Sequence, residues 1–201
     1  MFGIVRHYKT EPGQIDAIVR HTRERFMHPI SHAWGFVSWT LIDAGPDGVV
    51  TASVFEDELG AELAAGWVRE NQAATELGHP KISEGPVAFR DVKEHVHSGY
   101  GFVWHHTCKP GEADEAKRRI VEGFIPTISE LPGYAAHGAI DAGHGDLSWL
   151  LVFADEESAK TARDRARAWA DKNLGSLLEH PPEIVFGEVK LRIPAHATVT
   201  A

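Results

Sequence analysis

The chain states one phrase twice. Residues 3–17 read GIVRHYKTEPGQIDA and residues 101–115 read GFVWHHTCKPGEADE. Sliding the sequence by 98 residues puts Gly3, Val5, His7, Pro12 and Gly13 on Gly101, Val103, His105, Pro110 and Gly111. The IDAG at 42–45 falls on IDAG at 140–143, and VFEDE at 54–58 falls on VFADE at 152–156. The register holds without a gap from residue 3 to residue 58, and 20 of those 56 positions are identical. Unrelated segments of ordinary composition share roughly one position in fifteen. The chain is therefore a duplication, and its fold must be built from two like units. Beyond residue 58 the offset becomes 102, so that Trp67, Asn71, Pro80, Gly85 and Arg90 meet Trp169, Asn173, Pro182, Gly187 and Arg192. The extra residues fall in AKTARDRARAW, where four residues add about one helical turn.

Each copy reads β-α-β-β-α-β. In the first, a strand over about 2–9 is followed by a turn at Pro12-Gly13 and by Ile15, Ile18, Val19, Thr22 and Phe26 at helical spacing. GFVSWTLID and GVVTASVF form a hairpin across AGPDG. Asp57 is placed to cap the second helix, whose stripe is Leu59, Leu63, Ala64 and Trp67. SEGPVAFRDV is the last strand. One such unit leaves a bare apolar sheet face, and two units stacked sheet to sheet bury both faces. The expected fold class is α+β: two ferredoxin-like βαββαβ repeats forming a pseudo-dimeric α+β barrel. The first repeat is read as 1–93, a linker as 94–100, the second repeat as 101–193 and a frayed tail as 194–201.

Composition narrows the function. The net charge of −9 argues against nucleic acid as a partner and against an anionic membrane surface. No apolar run approaches the roughly 20 residues of a membrane span. The single cysteine allows no internal disulfide, which makes a cytoplasmic location the expectation. Thirteen histidines raise the question of metal or haem. HVH at 95–97 and the pair His28 and His32 lack an evident third ligand, and no metal site is expected. No HExxH, CxxC, Walker A or GxGxxG pattern occurs. Cys108 matches Thr10 near a turn and reads as a structural position rather than a nucleophile.

The V-x-x-x-x-x-PG strand, the PGY at 132–134 and the VFxDE opening of each second helix resemble the antibiotic-biosynthesis-monooxygenase type of dimeric α+β barrel. The resemblance covers nearly the whole chain in two copies, so the chain looks like a fused dimer. It implies a ligand pocket between sheet and helices in each half. It also implies a small-molecule pocket protein, an oxygenase-like enzyme of the cofactor-independent monooxygenase type on an aromatic or polycyclic substrate. The alternatives are a haem-binding or haem-degrading protein and a non-catalytic ligand-binding protein. The partner expected is a small molecule, and the assembly a monomeric pseudo-dimer or a homodimer. Two departures weaken the transfer of activity. Strand three carries Thr51 and Phe55, then Trp149 and Phe153, where some oxygenases have Asn and Trp. The haem-degrading pattern lacks its strand-one Asn, and Trp67 to His79 or Trp169 to His180 is spaced too widely for it.

The candidate residues follow from strand one. The resemblance implies a cavity-lining polar residue on strand one at residue 6 or 7, and since neighbouring strand residues point to opposite faces, that leaves either Arg6 and Trp104 or His7 and His105. A pocket histidine could act as base on a phenol, which makes His7 and His105 the candidate bases. Arg6 is the group to stabilise a developing anion. Trp39, Trp67, Trp104, Trp149 and Trp169 are candidate pocket walls, with Asn71 and Asn173 as orienting amides one turn beyond Trp67 and Trp169. Because Arg6 meets Trp104 across the repeat, the two pockets need not be equivalent.

Overall fold

Period-two alternation of apolar residues sets the strands, and each expected element forms. In the first copy β1 is Phe2–Tyr8, β2 is Phe36–Asp43, β3 is Val49–Phe55 and β4 is Lys81–Val92. In the second, β5 is Gly99–Thr107, β6 is Tyr134–Asp141, β7 is Asp146–Phe153 and β8 is Glu183–Ile193. Helix α1 runs through Ile15–His21, Thr22–Phe26 and Met27–Ser31. Helix α2 is Glu58–Gln72. Helix α3 runs through Ala113–Arg119, Ile120–Phe124 and Ile125–Ser129, and α4 is Glu156–Asn173. This structure is a computed structural model that describes residues 1–11, 13–72, 78–93 and 96–193, the side chains of 70–72 excepted. Strand β5 starts at Gly99, inside the stretch read as linker, while Glu94, His95 and the tail lie outside the described residues.

Local chemistry explains the helix ends and one irregularity. Asp57 Oδ1 accepts a 2.8 Å bond from the Gly60 amide, and Asp155 Oδ1 accepts one of 2.8 Å from Ser158. Each satisfies an amide that a first helical turn leaves without a partner. The first helix of each copy carries its apolar residues at regular helical spacing. It nevertheless widens to a π turn at Thr22–Phe26 and again at Ile120–Phe124, the same place in both repeats. Pro29 and Pro126 follow these turns, and a proline has no N–H with which to complete the regular ladder.

The eight strands close into one barrel in the order β1-β3-β2-β8-β5-β7-β6-β4. Two long strands make the closure. The first half of β4 pairs with β1, from His7 opposite Lys81 to Phe2 opposite Pro86, and its second half pairs with β6 of the other repeat, from Val87 to Val92. Strand β8 does the same, first with β5 and then with β2. At each crossing sits a glycine, Gly85 or Gly187, and these two are repeat equivalents. A Cβ on Gly85 would overlap the carbonyl of Asp141, and one on Gly187 would overlap the carbonyl of Asp43.

The closed sheet separates two kinds of core. Its inner face packs small and β-branched residues such as Val5, Val50, Val103, Val152 and Val189. Its outer face meets the helices. In the second repeat that layer is one large aromatic cluster that includes Phe102, Trp104, Phe124, Trp149 and Phe153. In the first repeat it is divided between Ile4, Phe55 and Ala64 on one side and Trp39, Leu41 and Leu191 on the other.

Gly187→Ala forces backbone against backbone at a seam. It is expected to destabilise the fold by at least about 3 kcal/mol, read as a lower urea midpoint for both repeats together. Gly85→Ala should behave alike. An unchanged midpoint for either would show that the seam gives way freely and does not hold the barrel closed.

Candidate functional site

Strand β1 divides its polar residues between two compartments. Arg6 shares the helix-side face with Ile4 and Tyr8, and His7 shares the barrel-side face with Val5. The two alternatives left by the sequence thus lie on opposite sides of one sheet, and of their four residues Arg6 is the one that lines the helix-side recess. Arg6 lies in a recess between sheet and helices, walled by Phe26, Trp39, Ser53, Phe55 and Ala64. As it stands the recess leaves room for water centres of only about 10 Å³, about one water. Trp39 stacks at a tilt on Phe26, with ring centres 5.4 Å apart.

Arg6 is only 9% exposed. Burial lowers its pKa, against the pull of Tyr8 and of Glu84, and Arg69 adds to the lowering. Among the described residues Arg6 forms no ion pair. A buried guanidinium beside aromatic walls is complementary to a flat anion.

The second repeat fills the matching space. Trp104 stands where the first repeat has Arg6, His137 where it has Trp39, Trp149 where it has Thr51 and Leu151 where it has Ser53. All four are buried. Trp104 lies 5.2 Å from Phe124 and 4.3 Å from His106, and His137 lies 5.3 Å from Trp149. Among the described residues the indole nitrogens of both tryptophans and both nitrogens of His106 and His137 have no hydrogen-bond partner. Burial pushes these two imidazoles down to about 3, so they are neutral at ordinary pH.

The expected bases lie elsewhere. His105 faces the barrel, where its Nδ1 shares a 2.8 Å hydrogen bond with Ser148 Oγ, and Ser148 bonds Ser83 Oγ at 2.8 Å. Burial, followed by repulsion from Lys81, pushes His105 down to about 4. His7 meets the carbonyl of Asp47. Neither histidine shares a compartment with Arg6, because strand alternation sends them through the other face.

Of the five candidate tryptophan walls, Trp39 is the one that borders the Arg6 recess. Trp104 and Trp149 belong to the filled core. Trp67 lines an outer groove with Trp34 and Leu63 and packs 5.5 Å from Phe26. Trp169 packs 5.3 Å from Phe124 and sits over Gly123, where a Cβ would come within 3.2 Å of its ring. Asn173 spends its amide on its own helix, donating to the Trp169 carbonyl at 2.8 Å, and the side chain of Asn71 lies outside the described residues.

Cys108 is buried, its thiol pushed up to about 11, the opposite of an activated nucleophile. Among the described residues no three potential ligands gather to hold a metal. His28 and His32 stack at 4.3 Å, and His32 turns its Nδ1 to the His28 carbonyl. Haem fits neither helix-side compartment. The first has no room for a macrocycle, and the second is filled by Trp104, His137 and Trp149. Sequence reasoning missed two residues with site character, Arg90 and Arg192. They point into the barrel from the matching last strands of the two repeats. Their identity across the repeat was the available signal.

No protein-family model matches the sequence, and no curated protein matches it. Solved structures do match the fold. A candidate monooxygenase from Fusobacterium nucleatum superposes with a TM-score of 0.75 at 10% identity, over 96% of this chain and 94% of that one. A candidate monooxygenase from Lactobacillus acidophilus gives 0.72 at 10% identity, over 97% of each chain. An anthrone oxidase-like protein gives 0.69 at 12% identity, over 100% of this chain and 95% of that one. The chain has the dimeric α+β-barrel fold that the duplicated sequence pattern implied. No helix among the described residues is long and apolar enough to cross a membrane.

The buried histidines couple this architecture to pH. His105, His106 and His137 are held below the ordinary value of 6.5. The unfolded chain therefore binds protons that the folded chain refuses as pH falls below about 6.5, and stability falls with it. Each is expected to remove on the order of 2–3 kcal/mol by pH 4. Tryptophan fluorescence should report an acid transition that moves to lower pH in His137→Phe. An acid midpoint unaffected by that substitution would show that His137 titrates freely in the folded state.

Proposed function

We propose that the protein binds a small, readily ionised aromatic molecule in the Arg6 recess and acts on it as a cofactor-independent monooxygenase. The observation that carries this reading is the buried guanidinium of Arg6 between aromatic walls, in the repeat whose helix-side space is not filled by a tryptophan and histidine cluster. The structural neighbours named above support the oxygenase class and leave the substrate open. The ring stacks against Trp39 and Phe26, and its phenolic or enolic oxygen meets Arg6. Ala64 and Ala65 of α2 close the recess, so a ring enters as that helix shifts outward.

The chemistry asks little of the protein. A substrate with an activated CH2 loses a proton to give a delocalised anion, which Arg6 stabilises in a low-dielectric setting. The anion passes an electron to O2, and the radical pair combines to form a C–O bond. The hydroperoxide then loses water to leave a carbonyl. One CH2 and one O2 give one C=O and one H2O, so no external reductant is required. The described walls of the recess include no histidine or carboxylate. Ionisation thus depends on the substrate's own acidity, enhanced by Arg6, and the proton leaves to solvent. The same shortage favours a second reading, ligand binding without turnover.

Arg6→Gln is expected to weaken binding of a hydroxylated anthrone about 10- to 100-fold, the cost of a lost charge-assisted hydrogen bond. Oxygen uptake should fall at least as far. Trp104→Phe, in the filled repeat, should leave both unchanged. Binding without oxygen uptake would select the non-catalytic reading. Unaltered binding and uptake in Arg6→Gln would remove the recess as the site.

A further inference from the structure

The barrel holds a second cavity, on the other side of the sheet from Arg6. Arg90 of β4 and Arg192 of β8 line it, together with Ser38 and Thr40 of β2 and Ala136 and Gly138 of β6. The two arginines are repeat equivalents that enter from opposite seams: Arg192 is in register with Thr40, and Arg90 with Gly138. The room comes from small side chains in the second repeat. Ala136 and Gly138 stand where the first repeat has Ser38 and Thr40, and a Cβ on Gly138 would meet nothing closer than the Phe89 carbonyl at 3.9 Å. Room for water centres amounts to about 60 Å³. At 10–15 Å³ for each water, that is roughly four to six positions. The space suits a small oxyanion and is too small for a polycycle.

The charge balance of this cavity is incomplete. Arg192 is 7% exposed and donates from Nη1 to the Val96 carbonyl at 3.1 Å. Neither arginine forms an ion pair among the described residues. Asp91, next to Arg90, turns to the opposite face and accepts a 2.9 Å bond from the Tyr134 hydroxyl. Burial, followed by repulsion from Arg90, pushes Arg192 down to about 10, and burial lowers Arg90. Arg192 is desolvated and Arg90 half-buried beside it, and two neighbouring guanidinium groups without counter-charge are costly. Their planar N–H forks match the oxygens of phosphate or carboxylate.

We propose that the barrel interior binds one small oxyanion between Arg90 and Arg192, with the Ser38 and Thr40 hydroxyls beside it. Phosphate and short carboxylates share the required chemistry. The overall charge of −9 works against anions on the outer surface, and substitution of Arg90 and Arg192 distinguishes uptake here from uptake at Arg6. The sheet separates it from the Arg6 recess, and either assignment can fail without the other.

The test is thermal unfolding in inorganic phosphate and in acetate, each against chloride at equal pH and ionic strength. At a hundredfold excess over Kd the bound anion should raise Tm by about 5–10 °C. Arg90→Met and Arg192→Met should abolish the shift, and Thr40→Val, which keeps shape and charge, should reduce it. Titration calorimetry of the unaltered protein should give one site per chain for the same anion. The proposal is overturned if neither anion gives a specific shift or heat, or if the shift survives in the Arg90→Met, Arg192→Met double variant.

Discussion

Everything in this molecule depends on two strands that belong to both repeats. Strands β4 and β8 each begin by completing their own sheet and end by pairing with the other repeat. Without that second half, β2 and β6 would be open edges, with backbone donors and acceptors facing solvent. With it, the barrel closes and most of its inner face is buried. The geometry works because Gly85 and Gly187 present no side chain where each strand passes the carbonyl of Asp141 or Asp43. The barrel cavity and both helix-side compartments inherit their shape from this closure.

Equal backbones have been filled unequally. The first repeat keeps Arg6 and a narrow recess, and the second replaces that arginine with Trp104 and packs two histidines and two tryptophans into a buried core. Four buried rings whose nitrogens lack partners among the described residues carry a desolvation cost. Large aromatic contact area offsets it, and the balance holds while both histidines stay neutral.

The duplication made the fold legible. Period-two strands, turn residues and helix-capping aspartates recurred at a fixed offset, so each copy confirmed the other, and the barrel followed from the need to cover two sheet faces. The site was less legible. Alternation showed that Arg6 and His7 face opposite ways but not that each face holds its own cavity. Trp67 and Trp39 carry the same residue type, yet only Trp39 borders the recess, because that depends on where α2 crosses the sheet. The arginine pair at 90 and 192 was visible as an identity, and its inward aim depended on the irregular registers of β4 with β6 and of β8 with β2. Proline-driven π turns were hidden for the same reason: periodicity reads the average helix, and one missing N–H acts locally.

The short connection between Val92 and Gly99 has a consequence for how such a protein can change. In a dimer of identical chains every substitution is made twice, at symmetric places. A tryptophan that plugs one recess plugs both, and an arginine that opens one opens both. Joining the halves in one chain lifts that obligation. One half is then free to specialise in stability while the other carries chemistry, and the axis of symmetry survives only in the backbone.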